Sequence, residues 1–210
     1  AFTRVYTEGK PTGVHKNFFS REGKVSDEHC YNDQGKLEGE QKAFFPNGVT
    51  KELISYQNGI LHGLKASWNE KGHLLREWKY IKGSLDGRHF EKDQEGREII
   101  FNYKNNKREG FHYVYYPEET TEGKKVKAIE AYYKGNKLDG EAFEYDPHCN
   151  KISMVTYKEG IKEGPFQLFY TDGACQVEFT FHQDKKEGPF HEYFKNGNVC
   201  KEGIFKNDLK

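Results

Sequence analysis

Apolar and polar residues alternate along this chain in short bursts, and the same burst returns about every two dozen residues. Residues 157–181 (YKEGIKEGPFQLFYTDGACQVEFTF) give the clearest copy. An aromatic, Tyr157, is followed by Gly160 and Gly164, then by Phe169 and Tyr170, then by a turn at Thr171, Asp172 and Gly173. The copy closes on the alternating run Val177, Phe179 and Phe181. Alternation with period 2 predicts a strand with one buried face. Glycines four apart supply positive φ for a tight turn. Each copy therefore predicts strand, turn, strand, turn.

The copies open at Tyr6, Tyr31, Tyr56, Tyr80, Tyr103, Tyr133, Tyr157 and Phe181, with a partial copy from Phe205. The second copy carries one extra residue before its first glycine, Gly35, and the fourth has Lys92 where an aromatic belongs. The sixth places Asn150 at its second turn. Where the first glycine is missing, its substitutes are Asn106, Asn136, Asp184 and Asp208. These are the non-glycine residues that best tolerate left-handed backbone, so a turn with positive φ is expected there. The second glycine, at Gly13, Gly39, Gly63, Gly87, Gly110, Gly140, Gly164 and Gly188, is never replaced. Either its φ lies outside what Asn can reach, or a Cβ would strike a neighbour.

Two residues before the opening aromatic stand Ile54, Trp78, Phe101, Ala131, Val155 and Phe179. One face is thus expected to be buried, and the other to carry hydrated Lys, Glu, Gln and His. The predicted fold is all-β: an elongated single-layer antiparallel β solenoid of about eight stacked hairpins in one repeat domain spanning residues 1–210. At two strands per repeat, corresponding side chains would recur roughly every 10 Å.

Composition fits a thin sheet. Only 34% of residues are hydrophobic and the mean hydropathy is −1.00, but 14 Tyr and 16 Phe supply large rings. Each ring buries roughly 150–250 Å². Lys plus Arg and Asp plus Glu are both 33, so net charge is zero. A neutral chain lacks the general attraction to phosphate that nucleic-acid binding needs, and no polybasic run suggests an anionic membrane. Cys30, Cys149, Cys175 and Cys200 show no C-x-x-C spacing and read as free thiols, which favours a reducing, cytoplasmic setting. Export after removal of a leader stays open as the other expectation.

At this point the motif Y-x-x-G-x-x-x-G-x-x-x-x-[FYW]-x-x-x-G, seen from Tyr56 and again from Tyr157, resembles the MORN repeat. It is closest to the MORN-variant subtype common in bacterial proteins, and the likeness covers essentially the whole chain. The resemblance implies stacked hairpins and a scaffolding role. It also implies a partner class, because some bacterial proteins of the subtype are antitoxins or immunity proteins paired with toxins. The fifth copy departs from the motif by inserting residues 117–125 (PEETTEGKK) after Tyr113, Tyr115 and Tyr116. That insertion reads as a lengthened surface loop or as a finger that touches a partner.

Catalytic signatures are absent: there is no H-E-x-x-H, G-x-S-x-G or phosphate-cradling loop, and the repeat already explains the glycines. No enzyme activity, cofactor or metal is expected. His15, His89 and His112 stand two residues after a second glycine, but repeats about 10 Å apart keep two imidazoles from sharing one ion. They are expected to pack on rings or to face water. The candidate binding residues are Tyr113, Tyr115, Tyr116, His89 and His112, and the expected partner is a protein, with a toxin as one class. A lipid-associated module and an accessory region of a larger polypeptide are the alternatives.

Overall fold

The computed structural model describes residues 1–20, 23–119 and 123–209, and every regular element among them is a β-strand. The chain divides into two compact units. One comprises Ala1–Lys92 with Tyr103–Asn106, and the other Asp93–Asn102 with Lys107–Lys210.

In the first unit the strands Gly13–Phe18, Val25–Tyr31, Gly39–Phe44, Thr50–Gln57, Ile60–Trp68, Leu74–Ile81 and Ser84–Lys92 each pair antiparallel with the next. Phe2–Thr3 adds to Gly13–Phe18, while Tyr6–Thr7 and Lys10–Pro11 form a small separate hairpin. In the second unit the same antiparallel order links Gly110–Glu119, Lys125–Lys134, Gly140–Tyr145, Lys151–Lys158, Ile161–Phe169, Cys175–His182, Lys185–Tyr193 and Val199–Phe205.

Two turn types recur. The first is a two-residue connection in which both residues have positive φ, the backbone sense that matches the twist of the flanking strands. It occurs at Glu8 and Gly9, Asn58 and Gly59, Lys82 and Gly83, Asn105 and Asn106, Gly135 and Asn136, Glu159 and Gly160, Gln183 and Asp184, and Asn207 and Asp208. Asn106, Asn136 and Asp184 stand at φ 64°, 74° and 65°.

Left-handed backbone costs an ordinary residue roughly 1–2 kcal/mol, so something must hold these turns. In the seven turns that follow Glu8 and Gly9, the second residue donates its N–H to a carbonyl of an earlier hairpin. Gly59 donates to Leu37, Gly83 to Leu61 and Asn106 to Leu85, at 2.8, 2.8 and 2.9 Å. In the second unit Asn136 donates to Arg108, Gly160 to Leu138 and Asp184 to Lys162, at 3.0, 2.7 and 3.0 Å. Where the residue is Asn or Asp, its side chain closes a second bond on the same strand residue. Asn106 Oδ1 accepts from Leu85 N at 2.7 Å, Asn136 Oδ1 from Arg108 N at 2.7 Å and Asp184 Oδ1 from Lys162 N at 2.8 Å. Tolerance of φ is thus half of the reason for these substitutions. The other half is a two-point clip that glycine cannot make.

The first turn residue is clipped too. In most turns its N–H meets an acidic side chain that stands just before the second glycine of an earlier copy, and at Lys82 it meets His62 Nδ1 at 3.4 Å. Asn58 donates to Glu38 at 2.7 Å, Gly135 to Glu109 at 2.8 Å, Glu159 to Asp139 at 3.2 Å and Gln183 to Glu163 at 2.8 Å.

The second turn type is a four-residue connection closed by an Asn or Asp side chain. Asn69 Oδ1 accepts from Lys71 N and His73 N at 3.0 Å each, and Gly72 follows at φ 80°. In the sixth copy Asp146 does the same for His148 and Asn150, and Cys149 takes the glycine's place at φ 68°. This corrects the placing of Asn150 there. Gly35 likewise closes a turn of this second type, from Asn32 to Lys36, which explains the extra residue in the second copy.

The second glycine lies in a bulge. Tyr56 pairs with Leu61 and Ile54 with Lys65, so three residues around Gly63 face Ser55 alone. Gly63 has φ 106°, beyond the left-handed well that Asn occupies, and a Cβ there would stand 2.9 Å from Ser55 Cβ. Both reasons for an irreplaceable glycine therefore hold at Gly63, whereas Gly13 and Gly39, at φ 66° and 72° with open space around an added Cβ, meet neither.

Burial is shallow, and no large side chain is completely enclosed among the described residues. The tightest cluster is Phe179, Phe181, Phe190 and Phe205, with Phe166 and Val155 against it. The opposite face is not simply hydrated, which corrects the expectation of an all-polar side. Tyr113, Glu130, Phe143 and Met154 follow one another there across four paired strands. The inserted segment is also less of a loop than its composition implied. Pro117, Glu118 and Glu119 lie in strand, and Glu119 pairs with Lys125, leaving 120–122 outside the described residues.

The clip yields a graded prediction. Asn136→Gly keeps the backbone but removes the Oδ1 bond and is expected to cost about 0.5–1.5 kcal/mol. Asn136→Ala also incurs the left-handed penalty and is expected to cost roughly 1–2 kcal/mol more. Urea unfolding of the three proteins checks the order; equal stabilities would contradict it.

Candidate functional site

The five candidate binding residues fall in separate surroundings. His89 belongs to the first unit, where it stacks on Trp78 at 5.0 Å and meets Tyr103 at 5.5 Å. His15 repeats the arrangement between Tyr6 and Tyr31, at 5.4 and 4.8 Å. His15 thus fills the gap between two rings that open successive copies, while His89 lies between Trp78 and the opening ring Tyr103.

His112 holds the same position in the second unit. Its ring stacks on Phe101 at 3.9 Å, and the guanidinium of Arg108 lies 4.0 Å from the Phe101 centroid. Burial, helped by the Arg108 charge, pushes the imidazole down to about 4. His112 Nε2 is buried and has no hydrogen-bond partner among the described residues.

Tyr113 and Tyr115 point to the opposite face of the same strand. Phe111, Tyr113 and Tyr115 form a row with centroids 5.8 and 6.0 Å apart. Lys127 Nζ lies 5.0 Å above the Tyr113 ring and donates to Glu130 at 2.9 Å. Burial, then the Glu130 charge, raises the Tyr113 phenol; the Glu130 bond raises Lys127. Phe143 and Tyr145 continue the surface, with Lys151 Nζ 4.5 Å above Phe143. Tyr116 is different: its hydroxyl donates to the Tyr145 carbonyl at 2.8 Å, so it joins two parts of the framework.

A smaller polar group lies further along this face. Glu178 accepts from Tyr193 at 2.6 Å, which pushes that phenol up to about 12, and His191 stands 3.5 Å from the same carboxylate. Among the described residues no three His, Cys, Asp or Glu side chains gather as a metal ion would require.

On the His112 side of the sheet the large residues are interrupted. His112 pairs with Ala131, and Ala142 pairs with Val155. A hollow of about 220 Å³ opens between them, flanked by Tyr133, Tyr157 and Leu138. Ser153 and Glu144 also line it and are joined to each other at 3.0 Å. Reading for chemistry-bearing residues misses this site because two alanines make it. The available signal was positional, since Ala142 stands where the next two copies have Phe166 and Phe190.

No family model and no curated protein matches the chain.

The lowered His112 pKa gives a pH dependence with a definite sign. A group depressed from 6.5 to about 4 in the folded state lends stability above 6.5 that is lost as pH falls toward 4. His112→Gln is therefore expected to lose less stability than the parent between pH 7 and pH 4.5. The difference should be on the order of 1–2 kcal/mol once solvent screening is allowed for. Chemical denaturation at the two pH values checks it, and parallel losses in the two proteins would contradict it.

Proposed function

We propose that this chain is a non-enzymatic protein-binding scaffold whose principal contact surface is the aromatic face of the second unit. The observation that carries the reading is the row Phe111, Tyr113 and Tyr115, continued by Phe143 and Tyr145 and interleaved with the Lys127–Glu130 pair. Rings held in place on strands present large contact area at small entropic cost. Tyr is also among the residues that dominate binding energy at interfaces, and a flanking charged pair adds orientation.

The finer architecture belongs to the same proposal: MORN-like hairpins piled as a single-layer β solenoid, each clipped to the one before. The two recurring turn types and the repeated bonds from turn to preceding hairpin support it. Solenoids offer extended surfaces for macromolecules, in keeping with a partner that is itself a protein. The resemblance to MORN-variant repeats adds a partner class, a toxin that this chain would neutralise as an antitoxin or immunity protein.

Affinity capture from the source organism with the purified chain, followed by mass spectrometry, tests the proposal. The expected outcome is a protein partner whose binding falls at least tenfold in the double variant Tyr113→Ser, Tyr115→Ser, with the fold retained by circular dichroism. Absence of any protein partner, together with turnover of a substrate by the purified chain, would overturn it.

A further inference from the structure

The hollow beside His112 owes its existence to two departures from the repeat, and both fall in one place. In the repeat, the position two residues after the second glycine holds His15, Gln41, Lys65, His89, His112, Ala142, Phe166 and Phe190. The position two before the opening aromatic holds Arg4, His29, Ile54, Trp78, Phe101, Ala131, Val155, Phe179 and Gly203. Ala131 and Ala142 are the alanines of the two series, and they stand on neighbouring strands of the second unit; the smaller Gly203 is covered by the Phe190 ring, which a Cβ there would approach to 2.5 Å. Elsewhere the series interlock: Phe166 stacks on Phe179 at 4.6 Å, and Trp78 on His89 at 5.0 Å. Beside Ala131 and Ala142 the layer opens into the hollow instead.

The size of the gap limits what enters it. Sites for drug-sized ligands and cofactors run to about 300–1,000 Å³. A hollow of about 220 Å³, open on one side, is below that range and matches one large side chain. Its chemistry narrows the choice further. The floor is apolar, from Ala131, Ala142 and Val155, and the ring of Tyr133 stands at one side. Its polar lining includes His112, whose Nε2 has no partner among the described residues, and the exposed Glu144, engaged by Ser153. Glu144 is an acceptor on the rim, and an imidazole that stays neutral can also accept. A planar ring that carries one N–H donor complements them.

We infer that this hollow is a receptor for a single tryptophan side chain of a partner protein, inserted where the repeat omits its own aromatic residue. The inference rests on the protein-binding reading given above, adding an anchor on the face opposite to Tyr113. An inserted indole would extend the ring stack that Phe101 and His112 begin, and its N–H would meet Glu144 or His112. A buried aromatic anchor seated in a pocket is the usual form of an interface hot spot.

The test uses the full chain, labelled for NMR, with N-acetyl-tryptophanamide as probe and N-acetyl-leucinamide as the apolar control. The expected result is saturable shifts at Ala131, Ala142 and His112 with a dissociation constant in the millimolar range, about that of a lone anchor. Leucinamide should bind at least fivefold more weakly. Ala142→Phe, which restores the residue type of the neighbouring copies, should keep the fold and weaken the probe at least tenfold. Ala142→Leu serves in its place if the phenylalanine variant does not fold. Absence of shifts in the hollow, equal binding of leucinamide, or undiminished binding by the filled variant would overturn the inference. The two proposals fail separately. If a captured protein partner binds Ala142→Phe as well as the parent, the scaffold reading stands and the hollow is not its anchor. If the probe binds in the hollow and no protein partner exists, the scaffold reading fails alone.

Discussion

A hydrogen bond from the tip of each two-residue turn after the first back to an earlier hairpin is the constraint on which the rest of the structure depends. A two-residue turn with positive φ at both positions closes a hairpin well but leaves two N–H groups pointing outward. In this chain those donors find a carbonyl and, in most copies, a carboxylate on the preceding hairpin. Each turn is thereby made to do two jobs, closing its own hairpin and fixing it against its neighbour. The Glu163 carboxyl, held below its ordinary range by the Gln183 N–H and His182, shows the electrostatic side of the same contact.

Side chains complete what the backbone starts. With little apolar residue to spend, the chain relies on rings that span from strand to strand, as in the cluster of Phe179, Phe181, Phe190 and Phe205. Even glycine serves this layer: a Cβ on Gly203 would stand 2.5 Å from the Phe190 ring that covers it. A sheet held this way has both faces accessible, and function falls to whatever the repeat leaves exposed or unfilled. One face of the second unit presents Phe111, Tyr113 and Tyr115, and the other presents the hollow between Ala131 and Ala142.

Much of the backbone was legible in the residues. Asn106, Asn136 and Asp184 announced a left-handed turn because few other side chains live there comfortably, and Gly63 announced a place that tolerates no side chain. What stayed hidden was everything that depends on a partner in another copy. Lys82 and Glu159 take positive φ although nothing in their chemistry asks for it; bonds from neighbouring hairpins impose it. Cys149 occupies a glycine's place because Asp146 holds the turn around it. The segment from Pro117 reads as a loop by composition but is partly paired as strand by register. The candidate site was legible only as a set of rings. Which face each ring takes depends on bulges that shift the alternation, and those are set by cross-strand pairing.

Amide hydrogen exchange at the turn tips tests the central claim most directly. If the clip holds the hairpins together, the N–H groups of Gly59, Gly83, Asn106, Asn136, Gly160 and Asp184 exchange at least about a hundredfold more slowly than unstructured peptide, although they sit in exposed turns. Exchange at the unprotected rate at all six positions would contradict the account.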